Sequence, residues 1–147
     1  LTIHHSQFSK ESAVAKGGDI QERLIDFAVG IIQFSSSFPK GPAAKHIAGQ
    51  LLRCGTAPAP NYGEARGAES SNDFIHKLGV TLKELNESGI WLEIIRRSEM
   101  LPLRETELLI KECTALSKII SASIRTMGKK SGYCQARYIV GEKRREL

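Results

Sequence analysis

The sequence is poor in the residues that commonly announce a function. Its three cysteines, Cys54, Cys113 and Cys134, stand far apart, so no pair has the spacing of a zinc site or a redox motif. An odd, scattered count suits small buried thiols in a reducing cytoplasm. Aromatic residues make up only 6% of the chain, which leaves few rings on which bases could stack. No apolar run approaches the roughly 20 residues that cross a bilayer. The first 18 residues hold no continuous apolar stretch of the signal-peptide kind. These absences predict a cytoplasmic protein with no membrane segment. The chain also lacks a glycine-rich phosphate loop and a nucleophile elbow, and no base stands beside Ser35, Ser36 and Ser37. His46 and His76 are single histidines on separate helices, and His4-His5 has no further ligands near it. Glu84 and Glu87 have no histidine at the spacing of a di-iron bundle motif. No catalysis, metal or cofactor is expected.

What the sequence does contain is helical periodicity. Asp19 is read as the N-cap of a first helix, with Glu22 as its capping-box partner, after the breaker pair Gly17-Gly18. Leu24, Phe27, Ala28, Ile31 and Phe34 recur at three-and-four spacing, with Phe38 one turn on. A second helix starts near Pro42, a good first-turn residue, and buries Ile47, Leu51 and Cys54 with Leu52 beside them. Pro58 and Pro60 interrupt it, at a cost of roughly 3 kcal/mol for a proline inside a helix. The expectation is one long helix kinked there, with the Thr56 hydroxyl or water serving the carbonyls freed near Cys54 and Thr56. Ser71 or Asn72 caps a third helix lined by Phe74, Leu78, Leu82, Leu85, Leu92 and Ile95. Trp91 flanks that stripe, and Gly89 is read as a gap for a neighbouring helix. The fourth helix runs from about Arg104 to Met127. Leu109, Cys113, Leu116, Ile120 and Met127 face inward, Leu108, Ile119 and Ile124 widen the stripe, and Gly128 lies just past the end. No strand-like alternation competes. Four such helices on short turns predict an all-α, antiparallel up-down-up-down four-helix bundle over residues 19–127. A flexible leader, 1–18, and a basic, disordered tail, 128–147, are expected around it.

Charge is placed unevenly. The net charge is +5, yet residues 1–124 hold 14 basic and 14 acidic groups. The excess is carried by Arg125, Lys129, Lys130, Arg137, Lys143, Arg144 and Arg145 against Glu142 and Glu146. Such an end is either a solvated terminus or an arm for nucleic acid.

The stretches "QLLRCGTAPAPNYGEAR", "DFIHKLGVTLKELNESGIWLEII" and "LLIKECTALSKIISASI" resemble the bacterial four-helix-bundle family of the ribosomal-RNA intervening sequence. That family also includes the accessory variability protein of diversity-generating retroelements. The likeness rests on an ordered set: Gln50, Leu51 and Arg53; Asn61 with Glu64-Ala65; Asp73-Phe74 with Lys77-Leu78; Lys83-Glu84; Trp91-Leu92; and the segment from Lys111. It departs from the family at Ala57-Pro58-Ala59-Pro60, where a serine- and alanine-rich segment is usual, and in the long basic tail. The resemblance implies a ring-like homopentamer, and for the retroelement member a nucleic-acid-binding partner of a reverse transcriptase.

Antiparallel hairpin geometry assigns the conspicuous polar residues a structural role. If the second and third helices turn near Ser70, facing residues have numbers summing to roughly 137–141. Arg53 then reaches Glu84 or Glu87, Glu64 faces Lys77, and Asn61 faces Lys77 and Leu78. Arg53, Asn61, Glu64, Lys77 and Glu84 are therefore expected to fix the hairpin register. The remaining basic residues, Arg96, Arg97, Arg104, Lys111, Lys118, Lys129 and Lys130, are candidates for a phosphate-binding stripe at one end of the bundle. Repeated around a ring, such a patch makes a strong field. The expected function is a non-enzymatic, oligomeric bundle that binds RNA or DNA, or a nucleic-acid enzyme such as a reverse transcriptase, through backbone electrostatics. The alternative is a protein–protein interaction module of the same family with no nucleic-acid binding.

Overall fold

A computed structural model describes residues 17–131. Five helical segments follow one another: α1 (Gly17–Ser35), α2 (Pro42–Thr56), α3 (Pro58–Arg66), α4 (Ser71–Ser98) and α5 (Leu103–Ser131). α2 and α3 form one bent column, so the described residues make an all-α bundle of four columns. Each column packs on two neighbours in the order α1, α2–α3, α4, α5 and back to α1, with α1 and α4 on a diagonal.

The bend behaves as the prolines require. Only Ala57 separates the two segments, and its backbone stays right-handed helical at φ −71°, ψ −33°. The Asn61 N–H donates to the Ala57 carbonyl across 3.2 Å, so the helix restarts at once. The Thr56 hydroxyl donates to the Leu52 carbonyl at 2.6 Å. It serves Leu52 rather than the freed Cys54 carbonyl. Gln21 on α1 braces the far side, its side-chain amide donating to the Ala59 carbonyl at 3.0 Å.

Helix ends differ from expectation by a few residues. Asp19 lies in the first turn of α1, which already includes Gly17 and Gly18; its charge still suits the helix dipole. The cap of α4 is Ser70, which accepts from the Asp73 N–H at 3.1 Å. α5 continues through Gly128, which is buried inside it, to Ser131. A buried glycine can sit mid-helix where tertiary packing outweighs its roughly 1 kcal/mol propensity cost. The rest of the expected leader and tail lies outside the described residues. Glu99 closes α4 in the left-handed region, φ 54°, a position usually given to glycine.

The core is largely the expected one, though on α4 Ile75 is enclosed where Phe74 and Leu82 are only half-buried. Leu24, Phe27, Ile31, Leu51, Leu78, Leu85, Leu92, Ile95, Leu116 and Ile120 are fully enclosed, and Phe34 meets Phe38 edge-on at 5.9 Å. Leu108 is a correction: it is half exposed, because it lies outside the Leu109–Cys113–Leu116–Ile120 arc. At Gly89 a Cβ would sit 3.7 Å from Cys113 Sγ, an ordinary contact, whereas at Gly55 it would come within 2.9 Å of two Ile31 carbons. The approach at the bend is the tighter of the two.

Candidate nucleic-acid interface

The polar seam between α2–α3 and α4 comes first, because it orients α4. Arg53 ion-pairs with both Glu84, at 3.5 Å, and Glu87. The Lys77 Nζ meets Glu64 at 2.8 Å, which raises the Lys77 pKa. Trp91 donates its indole N–H to Glu87 at 3.4 Å and stacks edge-on with His46 at 6.0 Å. Asn61 contributes its backbone to the restart of the helix rather than a side-chain bond across the seam. The Arg53 side chain is half exposed, so its pairs carry at most about 1 kcal/mol and act mainly on register.

A stronger tie was not foreseen. Arg23 on α1 grips Glu112 on α5 with two hydrogen bonds of 3.0 Å, and Glu112 is only 14% exposed. The forked geometry is the strong form of a charge-assisted pair. Arg23 and Glu112 lie 89 positions apart, and only closing the fourth column onto the first brings them together. Glu112→Gln is expected to cost about 1–2 kcal/mol of stability, read as a lower urea midpoint. The loss should largely disappear in an Arg23→Leu background.

The seven basic candidates do not gather at one end. α4 and α5 are antiparallel, so Arg96 and Arg97, in the last turn of α4, lie near Arg104, in the first turn of α5. Lys129 and Lys130 close the other end of α5. From Arg104 to Lys129 the helix rises about 38 Å, which separates them by most of the bundle's length. Arg96 and Arg97 also share Glu93: Arg96 at 2.8 and 2.6 Å, Arg97 at 2.6 Å. These hydrogen bonds hold the Glu93 carboxyl down at about 2. The trio carries a net +1 rather than +2.

A titration tests this triad. The Glu93 carboxyl is depressed below its ordinary value, so its stabilising contribution is complete above that value and fades as pH falls toward 2. A carbon-detected NMR titration is expected to place its midpoint near 2, and the stability difference between wild type and Glu93→Gln should vanish at the acid end. A midpoint near 4.5 would mean the triad does not form in solution.

The geometry does assemble a row. Arg104, Lys111, Lys118 and Arg125 are each seven residues apart, with Lys129 four further on. Seven residues are nearly two turns, so all five lie on the outer face of α5, and all are exposed. Arg125 was missed because it was grouped with the tail; its seven-residue offset from Lys118 was the available signal. Lys130 points about 100° away. From Cys113 to Ser131 α5 contains no acidic residue, and the preceding one, Glu112, is held by Arg23. The lower half of the row is thus uncompensated along its own helix.

Other chemistry is sparse among the described residues. Burial pushes the Cys113 thiol up to about 12 and raises that of Cys54, so neither is a thiolate near neutrality. No group of His, Cys, Asp or Glu side chains has a metal-holding arrangement there, and no helix is long and apolar enough to cross a membrane.

An all-α bundle with a kinked second column and one basic helical face is the class of protein that fold and site define. The chain belongs to the 23S rRNA-intervening sequence protein family, whose model matches residues 18–122. It is similar to a solved protein of unknown function from the S23 ribosomal protein family of Bacteroides thetaiotaomicron VPI-5482. The identity is 30% and the TM-score 0.66, covering 76% of this chain and 99% of that one. None of the curated proteins matches it significantly.

Proposed function

We propose that the chain is a non-catalytic helical-bundle protein that binds nucleic acid through its phosphate backbone, along the outer face of α5. The observation that carries this reading is the row Arg104–Lys111–Lys118–Arg125–Lys129, exposed over about 38 Å and, from Cys113 onward, free of acidic residues on its own helix. A straight row of cations meets phosphates without entering a groove, and no exposed aromatic stands in the row to stack a base. Sequence-independent contact follows. The family description names a 23S rRNA-intervening sequence, which makes structured RNA the first probe. The test is filter binding of structured RNA and of duplex DNA from low to moderate salt. Retention that falls steeply with salt supports the reading; no retention at low salt ends it.

A second reading, a protein–protein interaction module with no nucleic-acid binding, has its own support. Ile25, Val29, Ile32, Ile90 and Ile94 are all at least 39% exposed, more apolar surface than a solitary bundle needs.

A further inference from the structure

Ile25, Val29 and Ile32 recur at helical spacing on α1, on the side away from the Leu24–Phe27–Ile31 face that enters the core. A row of acids runs beside them. Asp19, Glu22 and Asp26 are all exposed, and none is in an ion pair among the described residues. At about 100° per residue the row lies between the apolar strip and the Arg23–Gly30 edge of α1, which adjoins Glu112 and Leu109 of α5. The base on that edge, Arg23, is taken up by Glu112. The other exposed strip, Ile90 and Ile94 on α4, is bordered by exposed Lys83 and Arg97 instead. The two strips therefore suit occupants of opposite charge.

The chain itself holds a segment with the chemistry that the α1 strip calls for. Residues 132–147 follow α5 directly and lie outside the described residues. They carry Arg137, Lys143, Arg144 and Arg145 against Glu142 and Glu146, with the apolar run Tyr138–Ile139–Val140 between the basic groups. Register brings the strip within reach. Arg23 opposite Glu112 and Gly30 opposite Leu109 set α1 and α5 antiparallel. From the Arg23–Glu112 pair, α5 continues for about 28 Å to Ser131, whereas α1 goes back only about 9 Å to Gly17. The segment thus starts about 20 Å beyond the first turn of α1, and Ile32 lies about 22 Å further along that helix. Extended at about 3.3 Å per residue, residues 132–147 span up to roughly 53 Å, enough to cover the whole strip.

We infer that residues 132–147 fold back over the outer face of α1 of their own chain. Tyr138–Ile139–Val140 lies on the apolar strip, and Arg137 and Lys143–Arg145 lie along the acid row. An apolar centre with a charged rim is the usual make-up of a protein interface, and the unlike charges direct the segment to α1 rather than to the base-bordered strip of α4. Tethering holds it there at an effective concentration on the order of millimolar, so a contact too weak for a free peptide suffices. Its cations are taken up by α1, and the α5 row takes no part. The inference therefore does not rest on nucleic-acid binding and can fail or hold independently of it.

The experiment uses the full chain with carbon-13 methyl groups on isoleucine and valine, and a nitroxide on Gly141→Cys in a Cys134→Ser background. Cys54 and Cys113 are buried, and mass spectrometry checks that one label is attached per chain. The methyl signals of Ile25 and Val29 are expected to lose most of their intensity, and those of Ile90 and Ile94 to keep theirs, relative to the same sample after ascorbate reduces the nitroxide. Glu22→Lys with Asp26→Lys, which leaves Asp19 in the first turn, should restore the α1 signals. If circular dichroism shows that variant misfolded, Lys143→Glu with Arg144→Glu and Arg145→Glu should restore them from the other side. Equal loss at both strips, no loss at either, or a loss that charge reversal leaves unchanged would each overturn the inference. So would loss in a methyl-labelled chain without nitroxide when a nitroxide-carrying chain without methyl label is added, because the occupant would then be a second copy's segment.

Discussion

Gly55→Ala is expected to lower the melting temperature by roughly 5–15 °C, equivalent to about 1–3 kcal/mol of overpacking. A new Cβ would stand 2.9 Å from both Cγ1 and Cγ2 of Ile31 and 3.3 Å from its Cβ. Ile31 is fully buried among the core residues of α1, so it has no open side into which to swing. Alanine's helix propensity works the other way, by about 0.5–1 kcal/mol, and is outweighed. A double-mutant cycle isolates the clash. Ile31→Ala alone removes core volume at about 2–5 kcal/mol, but in its presence Gly55→Ala should lose most of its cost. Gly89→Ala is the control. Its Cβ meets only Cys113 Sγ at 3.7 Å, so the change should be neutral or slightly stabilising. Thermal melts showing Gly55→Ala as stable as wild type would mean that α1 and α2 do not approach this closely in solution.

The second large effect concerns the basic row. Removing three of its members together, in Lys111→Ala, Lys118→Ala and Arg125→Ala, should weaken RNA retention at about 0.1 M salt by roughly 10²–10³-fold. Each phosphate contact contributes close to one unit of slope in log affinity against log salt. The slope itself should fall by about three. These residues are exposed and lie opposite the core, so the melting temperature should hardly move. Charge alone makes a competing prediction: if only net charge mattered, replacing Lys40, Lys45 and Arg66 would weaken binding equally. An equal loss from that second triple would sink the assignment to α5.

Much of the fold was readable because helical periodicity is a local property. The core of α4, from Leu78 to Ile95, follows from spacing alone. So do the pairings of Arg53 with Glu84 and Glu87, and of Glu64 with Lys77, because both partners sit on one hairpin and the helix rise is fixed. Arg23 with Glu112 did not follow, since their meeting depends on how the fourth column closes onto the first. Gly55 was overlooked for the same reason, although Gly89 does meet α5 as its place beside the stripe suggested. Which glycine touches a neighbour is decided by the bend angle, which composition does not encode. The site was partly legible. Lys111 and Lys118 were grouped correctly by spacing, but the antiparallel course of α5 carries Lys129 and Lys130 to the far end from Arg96 and Arg97.

The bend at Ala57 has one consequence for the architecture as a whole. The two ion pairs that flank it, Arg53 with Glu87 and Lys77 with Glu64, have residue numbers summing to nearly the same value, so α4 sees an unbroken count on either side. The prolines therefore redirect the column without changing its helical phase. In shape the segment is a corner; in phase it is a spacer of fixed length. Substitutions within it can open or close the angle, but gaining or losing one residue would turn everything downstream by about 100° and break either the Arg53 pair or the Lys77 pair.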